Sequence, residues 1–331
     1  MIVSRAPVRF SLGGGGTDLP AYADRFGGYL VSAAIDKYIY VTANKRFHRD
    51  IRLAYSKTEI VPSVDRIEHP IFREALRLVG IEHSIELTSV ADLPANSGLG
   101  SSSSFTVALL NALHTYKRNF VSSEQLAREA CLIEMERLGE PVGKQDQYIA
   151  AYGNITAFTF EPGGAVHVEP VPIRDEVMEE LESNLLIVWS GIERPARVVL
   201  GEQRERLTQL EPDVIERMHR IKEIGRDVYR ILVAGDLDQY GELLHHHWTA
   251  KRRLASKMTD AVIDEHYEAA RAAGALGGKL LGAGGGGFFM FYVRPADRRR
   301  VIEAMQARGL RILRFRFDVD GARIVANLHR S

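Results

Sequence analysis

The sequence has little cysteine, no excess of charge and no long apolar run, and each shortage excludes a class of protein. Cys131 is the single cysteine among 331 residues, so neither an internal disulfide nor a cysteine-based zinc site can form. Lysine plus arginine number 43, as do aspartate plus glutamate, which leaves no field to hold nucleic acid or an anionic membrane. Apolar runs such as residues 288–293 are far shorter than the roughly 18 residues of a membrane span. The N-terminus also lacks a secretory signal, so we expect a cytoplasmic protein without nucleic-acid or membrane partners.

Several well-known catalytic motifs are missing as well. The Walker pattern G-x-x-x-x-G-K-[ST], the G-x-S-x-G elbow and H-E-x-x-H do not occur, which excludes P-loop NTPases, α/β-hydrolases and zincins. Residues 282–287 match G-x-G-x-x-G, but a strand-like run follows them where a dinucleotide site needs a helix. Three consecutive histidines, His245 to His247, cannot share one helix face, so we interpret them as solvated or packing residues.

Three glycine-rich segments, at residues 13–18, 94–104 and 282–287, dominate what is present. Glycine allows positive φ, and successive N–H groups can then line an anion-binding nest. A single glycine run more often forms a turn, but three in one chain favour a ligand. In the second segment, four serines follow Gly98-Leu99-Gly100 just before a predicted helix from Phe105. Such a helix start can bind a polyphosphate and its hydroxyls can ligate Mg²⁺, although the serines could also only cap the helix.

The wider pattern predicts an α+β fold in which helices and strands alternate irregularly. Prolines and glycines between Glu161 and Asp175 indicate a boundary, so we predict domains over residues 1–165 and 166–331. Strands are predicted over 2–12, 29–47, 82–90, 154–168, 184–190, 287–293 and 311–317, and helices over 70–79, 105–116, 122–139, 214–233, 237–256 and 260–273.

Three ordered motifs carry a resemblance to a known family. Ala6-Pro7-Val8-Arg9 leading to Thr17-Asp18, the Gly98-Leu99-Gly100-Ser101-Ser102 loop and the Gly282-Ala283-Gly284-Gly285-Gly286 loop are together similar to the motifs of GHMP kinases. The resemblance implies a two-domain kinase that uses ATP and Mg²⁺. Its N-terminal domain would resemble domain 2 of ribosomal protein S5, its C-terminal domain would be ferredoxin-like, and the active site would lie between them. A left-handed βαβ crossover is implied by the resemblance alone.

The resemblance also implies roles for individual residues. The segment from Gly143 to Gln147 resembles the one that carries the catalytic aspartate of galactokinases, which makes Asp146 the base, with Arg9 beside it. Glu134 matches a magnesium-binding glutamate and would share the ion with Ser102, or Ser101 in its place. The ATP phosphates would bind Asn96, Ser97, Gly98, Leu99, Gly100, Ser101, Ser102, Ser103 and Ser104. The acceptor would bind Gly14, Gly15, Gly16, Thr17, Asp18, Gly284, Gly285 and Gly286.

Within the superfamily, the sequence most resembles the D-glycero-D-manno-heptose 7-phosphate kinases. These phosphorylate the anomeric O1 of a sugar phosphate to the 1,7-bisphosphate, for nucleotide-activated heptose and surface polysaccharides. Galactokinases have Glu and His where this chain has Gly15 and Gly16, and the missing side chains suit an acceptor with a longer, phosphorylated tail. A fucose-, galactose- or uronate-type kinase and a catalytically silent sugar or nucleotide sensor are the alternatives, and a homodimer is possible.

Overall fold

The larger of two β-sheets supports the first glycine segment. The computed structural model describes residues 1–94, 97–192, 196–255 and 258–328. Within them, a mixed sheet has the strand order β12-β1-β2-β5-β3-β4, and β6 joins it by pairing with β2 and β7. Its members are β1 (Ile2–Gly13), β2 (Gly28–Lys45), β3 (Ile51–Ala54), β4 (Thr58–Val61), β5 (Ile85–Ala91), β6 (Ile155–Phe160), β7 (Val166–Pro170) and β12 (Arg323–Asn327). β1 and β2 are rich in Val, Ile and Tyr, residues that favour extended structure.

The smaller sheet supports the third glycine segment. Its strands lie in the order β11-β8-β10-β9, and all neighbouring pairs are antiparallel. They are β8 (Leu185–Trp189), β9 (Gly277–Leu280), β10 (Phe288–Tyr292) and β11 (Arg311–Leu313). The residues between β9 and β10 are the glycine loop itself, so this hairpin carries the loop. The apolar run of β10 is fully buried, as expected for a strand covered on both faces.

Helices pack on both sheets and enclose two apolar cores. One core lies on the larger sheet, and the other surrounds the smaller sheet with large side chains such as Trp248, Tyr267 and Phe289. The helices are α1 (Pro20–Phe26), α2 (Pro70–Val79), α3 (Ser101–Tyr116), α4 (Ser123–Cys131), α5 (Gln145–Tyr152), α6 (Asp175–Asn184), α7 (Ala196–Thr208), α8 (Pro212–Ala234), α9 (Leu237–Lys251), α10 (Ala261–Ala272) and α11 (Pro295–Gln306). In the described ranges, none of them is long and apolar enough to cross a bilayer.

The central helix α3 begins four residues earlier than the pattern predicts. Because Ser101 to Ser104 form its first turn, the serines are part of the helix and do not precede it. Every residue from Ser103 to His114 is buried, so the helix is enclosed on all sides, as a core helix is. The second glycine segment therefore leads directly into an element that the core holds rigidly.

The helix predicted to run from Ser122 to Gly139 is not regular. Its start is as expected, with the Ser122 hydroxyl accepting from the backbone N–H of Gln125. After Cys131 the chain changes to a π-helical turn over Leu132–Arg137. Such turns insert a residue and reorient the side chains that follow. Here the reoriented segment contains the buried Glu134.

Several elements escape the sequence pattern, and the predicted domain boundary does not follow the sheets. The elements not predicted as such are α1, α5, α6, α7, α11, β3, β4, β9 and β12. β7 and β12 lie beyond residue 165 but pair in the larger sheet. Sheet membership therefore does not coincide with a division into 1–165 and 166–331. That division remains a prediction.

Candidate active site

Arg9, a buried residue of β1, connects two of the predicted site segments. Its Nε and one terminal nitrogen donate to the two carboxylate oxygens of Asp146, each at 2.8 Å. Its other terminal nitrogen donates to the carbonyl of Gly98 at 2.7 Å, and its backbone N–H donates to the carbonyl of Leu99 at 3.0 Å. A planar guanidinium is suited to this bidentate pairing. Arg9 thus fixes the position of Asp146 relative to the serine-bearing loop.

The carboxylate of Asp146 lies close to the N-terminus of α3, although Asp146 is not part of that helix. It belongs to the first turn of α5, and a Cβ built on Gly100 would be only 3.0 Å from its Oδ2. Gly100 precedes the helix with φ +78°, a conformation that favours glycine. A carboxylate therefore adjoins the end of a helix whose first N–H groups lack a side-chain cap. This is where a phosphoryl donor and an acceptor hydroxyl can meet.

The four serines of α3 divide into two pairs. Ser101 is half-buried and Ser102 is exposed, so both can reach a ligand at the helix start. Ser103 donates to Glu134 at 2.7 Å and Ser104 donates to the carbonyl of Pro7 at 2.7 Å, and both are buried. The predicted phosphate-binding role fits the first pair better than the second. Asn96 lies outside the described residues.

Glu134 is buried among oxygen and amide groups. Its carboxylate accepts from Ser103 at 2.7 Å, from Thr106 at 2.5 Å and from the Gln147 amide at 2.8 Å. Burial is the main cause that raises the pKa of Glu134 to about 7, although these hydrogen bonds act in the opposite direction. The described contacts bring Ser103, and not Ser102, directly to Glu134, while Thr106 also contacts the Ser102 carbonyl at 3.1 Å.

The donor set around Glu134 fits Mg²⁺. Carboxylate, hydroxyl and amide oxygens are the ligands that this hard cation prefers. The Oε1 atom of Gln147 is buried beside Glu134 with no hydrogen-bond partner in the described structure. A nearby cation would satisfy such an oxygen and would stabilise the charged form of the carboxylate. No cluster of three or more His, Cys, Asp or Glu side chains occurs in the part of the chain described, so ATP oxygens would have to complete the coordination.

The first glycine segment is pinned by Thr17 and presents Asp18. The Thr17 hydroxyl contacts the carbonyls of Gly14 and Tyr29 at 2.8 and 2.9 Å, and both Gly14 and Thr17 are buried. Asp18 accepts from the backbone N–H of Gln145 at 2.9 Å. Burial raises the pKa of Asp18, and the nearby Asp146 raises it further. Thr17 and Gly14 therefore shape the loop, whereas Asp18 faces the site.

In the third glycine segment, the predicted acceptor-binding glycines are buried in packing contacts. The Gly285 N–H donates to the carbonyl of Met258 at 2.8 Å, and Cβ atoms on Gly284 and Gly286 would meet Met258 and Ile192. The residues of this segment that line the cleft are Gly282 and Ala283. Acceptor binding by Gly284, Gly285 and Gly286 therefore stays a prediction.

The first and third glycine segments line one cleft, and the second segment adjoins it because Gly98 packs against Gly282 and Gly100 against Asp146. The cleft contains the expected Arg9, Asp146 and Asp18 together with Gly15 and Gly16. It also contains polar groups that the sequence reasoning missed, namely Ser11, Gln145, Gln203, His247, Lys251 and Lys279. Their sequence context gives almost no signal, because an isolated lysine or glutamine is usually a solvated surface residue. The one available signal is that Lys279 lies three residues before Gly282, where the third glycine segment begins.

Comparison with known families identifies the class of protein. The family description "GHMP kinases N terminal domain" matches residues 66–154, and "GHMP kinases C terminal" matches residues 228–310. Together the matched ranges cover just over half of the chain. The chain belongs to the GHMP kinases, which agrees with the fold and with the three converging segments.

Individual relatives narrow the class to sugar kinases. The chain is 28% identical to a D-glycero-alpha-D-manno-heptose 7-phosphate kinase of Campylobacter jejuni, over 97% of this chain and 98% of the relative. A crystal structure of a D-glycero-D-manno-heptose 1-phosphate kinase from Bacteroides thetaiotaomicron has a TM-score of 0.83 at 28% identity and covers 99% of this chain and 100% of that one. A Lactococcus lactis galactokinase in complex with galactose, at 19% identity, shares the fold with a TM-score of 0.76 over 97% of this chain and 94% of its own. This protein is an ATP-dependent sugar kinase.

A first prediction concerns Gly143, which leaves room for Asp18. A Cβ on Gly143 would overlap the Asp18 carboxylate, so Gly143→Ala must displace that side chain or α5. Because misplacement by about 1 Å can cost on the order of a hundredfold in rate, we expect kcat/KM for the sugar to fall by at least about tenfold. Gly201→Ala is the matched control, since nothing lies within 4 Å of its Cβ and the site is helical. Equal activity of both variants would contradict the close packing of Gly143 on Asp18.

A second prediction concerns the stability of Glu134→Gln without Mg²⁺. Between its ordinary pKa of 4.5 and its folded value of about 7, Glu134 binds more protons in the folded state, so wild-type stability falls as pH rises through this range. Glutamine lacks this dependence. The free energy of unfolding of the variant, relative to wild type, should therefore rise by about 3 kcal/mol between pH 4.5 and pH 7.5. Urea unfolding in EDTA measures it. Glu136→Gln, at an exposed carboxylate of the same turn, should follow wild type, and a flat difference for Glu134→Gln would contradict the charge burial.

Proposed function

We propose that this kinase transfers the γ-phosphoryl group of ATP to the anomeric O1 of D-glycero-D-manno-heptose 7-phosphate, giving the 1,7-bisphosphate. The observation that carries the proposal is the bidentate Arg9–Asp146 pair at the start of α3, beside a cleft lined by Gly15 and Gly16. The names of the relatives support a heptose phosphate as the acceptor class. Those names differ in the phosphate they specify, and our proposal takes the 7-phosphate as the acceptor.

The reaction needs positioning and charge stabilisation more than covalent chemistry by the protein. Asp146 accepts the proton of the anomeric hydroxyl as O1 bonds to the γ-phosphorus. The bond between the γ-phosphorus and the β–γ bridging oxygen breaks, and ADP leaves with that electron pair. Arg9 orients the Asp146 carboxylate through two hydrogen bonds and lies close to the developing charge. Backbone N–H groups at the start of α3 bind the β- and γ-phosphates.

A magnesium ion completes this proposal. Glu134 and Ser102 would hold it, with Ser103, Thr106 and Gln147 orienting the Glu134 carboxylate. Bound there, Mg²⁺ would neutralise charge on the ATP phosphates. Ser101 is the alternative hydroxyl, since it also belongs to the first turn of α3 and is only half-buried.

The acceptor side is formed by the first glycine segment and Asp18. Gly15 and Gly16 both line the cleft, and a Cβ on Gly15 would overlap the Ser11 hydroxyl, so a larger residue at Gly15 would have to displace Ser11. Asp18 accepts hydrogen bonds from sugar hydroxyls. We place this reaction in the cytoplasm. There it supplies an anomeric phosphate that a nucleotidyl transfer can activate. We also propose that the protein is a homodimer.

Replacing the base tests the mechanism. Asp146→Asn keeps the shape of the side chain but removes the proton acceptor, so kcat should fall at least about a hundredfold with little change in ATP affinity. Asp50→Asn is the matched control, because Asp50 makes the same bidentate pair with Arg46 outside the cleft. Steady-state kinetics measure kcat, and a nucleotide titration measures the affinity for ATP. Unchanged turnover in Asp146→Asn would refute its role as base.

The metal site has its own test. Glu134→Gln and Ser102→Ala should each raise the Mg²⁺ concentration for half-maximal activity by about tenfold or more, since they remove ligands or weaken them. Glu136→Gln should leave the magnesium titration where it is. If Glu134→Gln leaves it unchanged too, Glu134 has only a structural role.

The substrate is decided by one product analysis. Heptose 7-phosphate, unphosphorylated heptose, fucose and galactose compete as acceptors with Mg-ATP, and ³¹P NMR identifies the product. We expect a new anomeric phosphate signal only from heptose 7-phosphate at limiting enzyme. Preferential phosphorylation of fucose or galactose would establish the alternative sugar-1-kinase, and no ADP release with any acceptor would favour a silent sensor.

A further inference from the structure

Two lysines in the cleft have no role in the mechanism above. Lys251 ends α9 and Lys279 lies in β9. Both line the cleft that holds Asp146, and they are only 8% and 1% exposed. Neither forms an ion pair with an acidic side chain in the described ranges. Burying an ammonium without an anionic partner is costly, so the pair calls for an explanation.

The existing contacts hold the lysines in place but do not neutralise them. Lys251 donates to the carbonyl of Gly282 at 2.5 Å and to that of Leu280 at 3.4 Å. Lys279 donates to the carbonyl of Leu12 at 3.3 Å and to His247 Nδ1 at 3.1 Å. These carbonyls flank the first and third glycine segments. An ammonium has three donors, so each lysine keeps a donor that the described partners do not use.

Two further polar atoms of the same cleft lack partners. His247 is 1% exposed, and its Nε2 is buried with no hydrogen-bond partner among the described residues. With Nδ1 accepting from Lys279, Nε2 carries the proton and is an unused donor. The hydroxyl of Ser11, 7% exposed, is also unpartnered. Buried donors without partners are rare in folded proteins and indicate a missing ligand or water.

The pKa shifts of the two lysines are those expected at a site that binds an anion. Burial lowers the pKa of Lys251 to about 8, with Arg9 acting in the same direction. Burial also lowers the pKa of Lys279 well below its ordinary value, and Lys251 and Arg9 lower it further. Arg9 is already paired with Asp146, so it does not serve the lysines. A dianion among these groups would restore their charge and satisfy the free donors together.

We propose that Lys251, Lys279, His247 and Ser11 form a subsite for the phosphate that the acceptor already carries and that is not transferred. This inference rests on the proposed function, because it assigns the residues that select a sugar phosphate over the free sugar. The acceptor phosphate is favoured over the γ-phosphate of ATP because the lining of this cleft includes Asp18, Gly15 and Gly16 but none of Ser101 to Ser104.

The test compares two acceptors in two variants. Lys251→Met and Lys279→Met keep the length of the buried stem and remove the charge, so the fold should be retained. Each should lower kcat/KM for heptose 7-phosphate by about 10- to 100-fold and leave kcat/KM for unphosphorylated heptose within about threefold. Lys222→Met is the matched control, since that lysine also donates to a carbonyl, of Phe26 at 2.8 Å, but does not line the cleft. Equal losses on both acceptors, or no loss on either, would overturn the subsite.

A binding experiment separates this inference from the proposed function. If wild type phosphorylates neither heptose, the proposed function fails, and the subsite is then judged by isothermal titration with inorganic phosphate on protein saturated with a non-hydrolysable ATP analogue. We expect saturable binding to wild type and to Lys222→Met, and a loss of at least about tenfold in affinity in Lys279→Met. If the ATP analogue abolishes phosphate binding to wild type, the lysines belong to the nucleotide side and the inference is wrong.

Discussion

The arrangement of the site depends on one guanidinium. Arg9 is a residue of β1, yet its side chain bonds Asp146 of α5 and the carbonyl of Gly98, and its backbone bonds Leu99. One buried group thus relates the strand, the helix that bears the base and the loop that leads into α3. Because the hydrogen bonds to Asp146 are charge-assisted and bidentate, they fix orientation as well as distance. A lysine here could not replace them, since an ammonium does not present two parallel donors to a carboxylate.

Glycines allow the backbones of the second and third glycine segments to approach each other closely. A Cβ on Gly282 would come within 2.5 to 2.9 Å of Gly98 atoms, and one on Gly287 would be 2.6 Å from the Ser97 carbonyl. The second and third glycine segments therefore pack main chain against main chain, and both of these glycines have positive φ. Side chains at these positions would push the smaller sheet away from α3. The glycine content reflects contact between the segments as much as contact with a ligand.

The sequence was enough to locate the main participants but not their contacts. Arg9 and the α3 serines belong to the three ordered motifs, whereas Asp146 and Glu134 were predicted from two further segments that resemble galactokinases. The fold class was correctly predicted as α+β. The hydrogen bond from Ser103 to Glu134 was not foreseeable, because it depends on where α3 begins and on the π-helical turn around Glu134. α5 was missed because nearly every face of it is buried and no helical period shows.

The sequence also does not reveal that two lysines lie in the cleft. Lys251 and Lys279 lie in unremarkable surroundings along the chain, and a lone lysine predicts a solvated side chain. His247, interpreted as a solvated or packing residue, is buried and contacts Lys279 within the cleft. Only the tertiary structure, which brings α9, β9 and the end of β1 together, gives these residues a common place.

The pairing of β1 with β12 has a consequence for biosynthesis. Ile2 faces Asn327 across this ladder, so the outer edge of β1 stays uncovered until almost all of the residues between these two have been translated. Contacts of such long sequence separation form late and slowly. Until then an unpaired edge is open to association with other nascent chains. Arg9 on the same strand does not share this delay, because its partners Gly98, Leu99 and Asp146 all precede β12 by more than half of the chain.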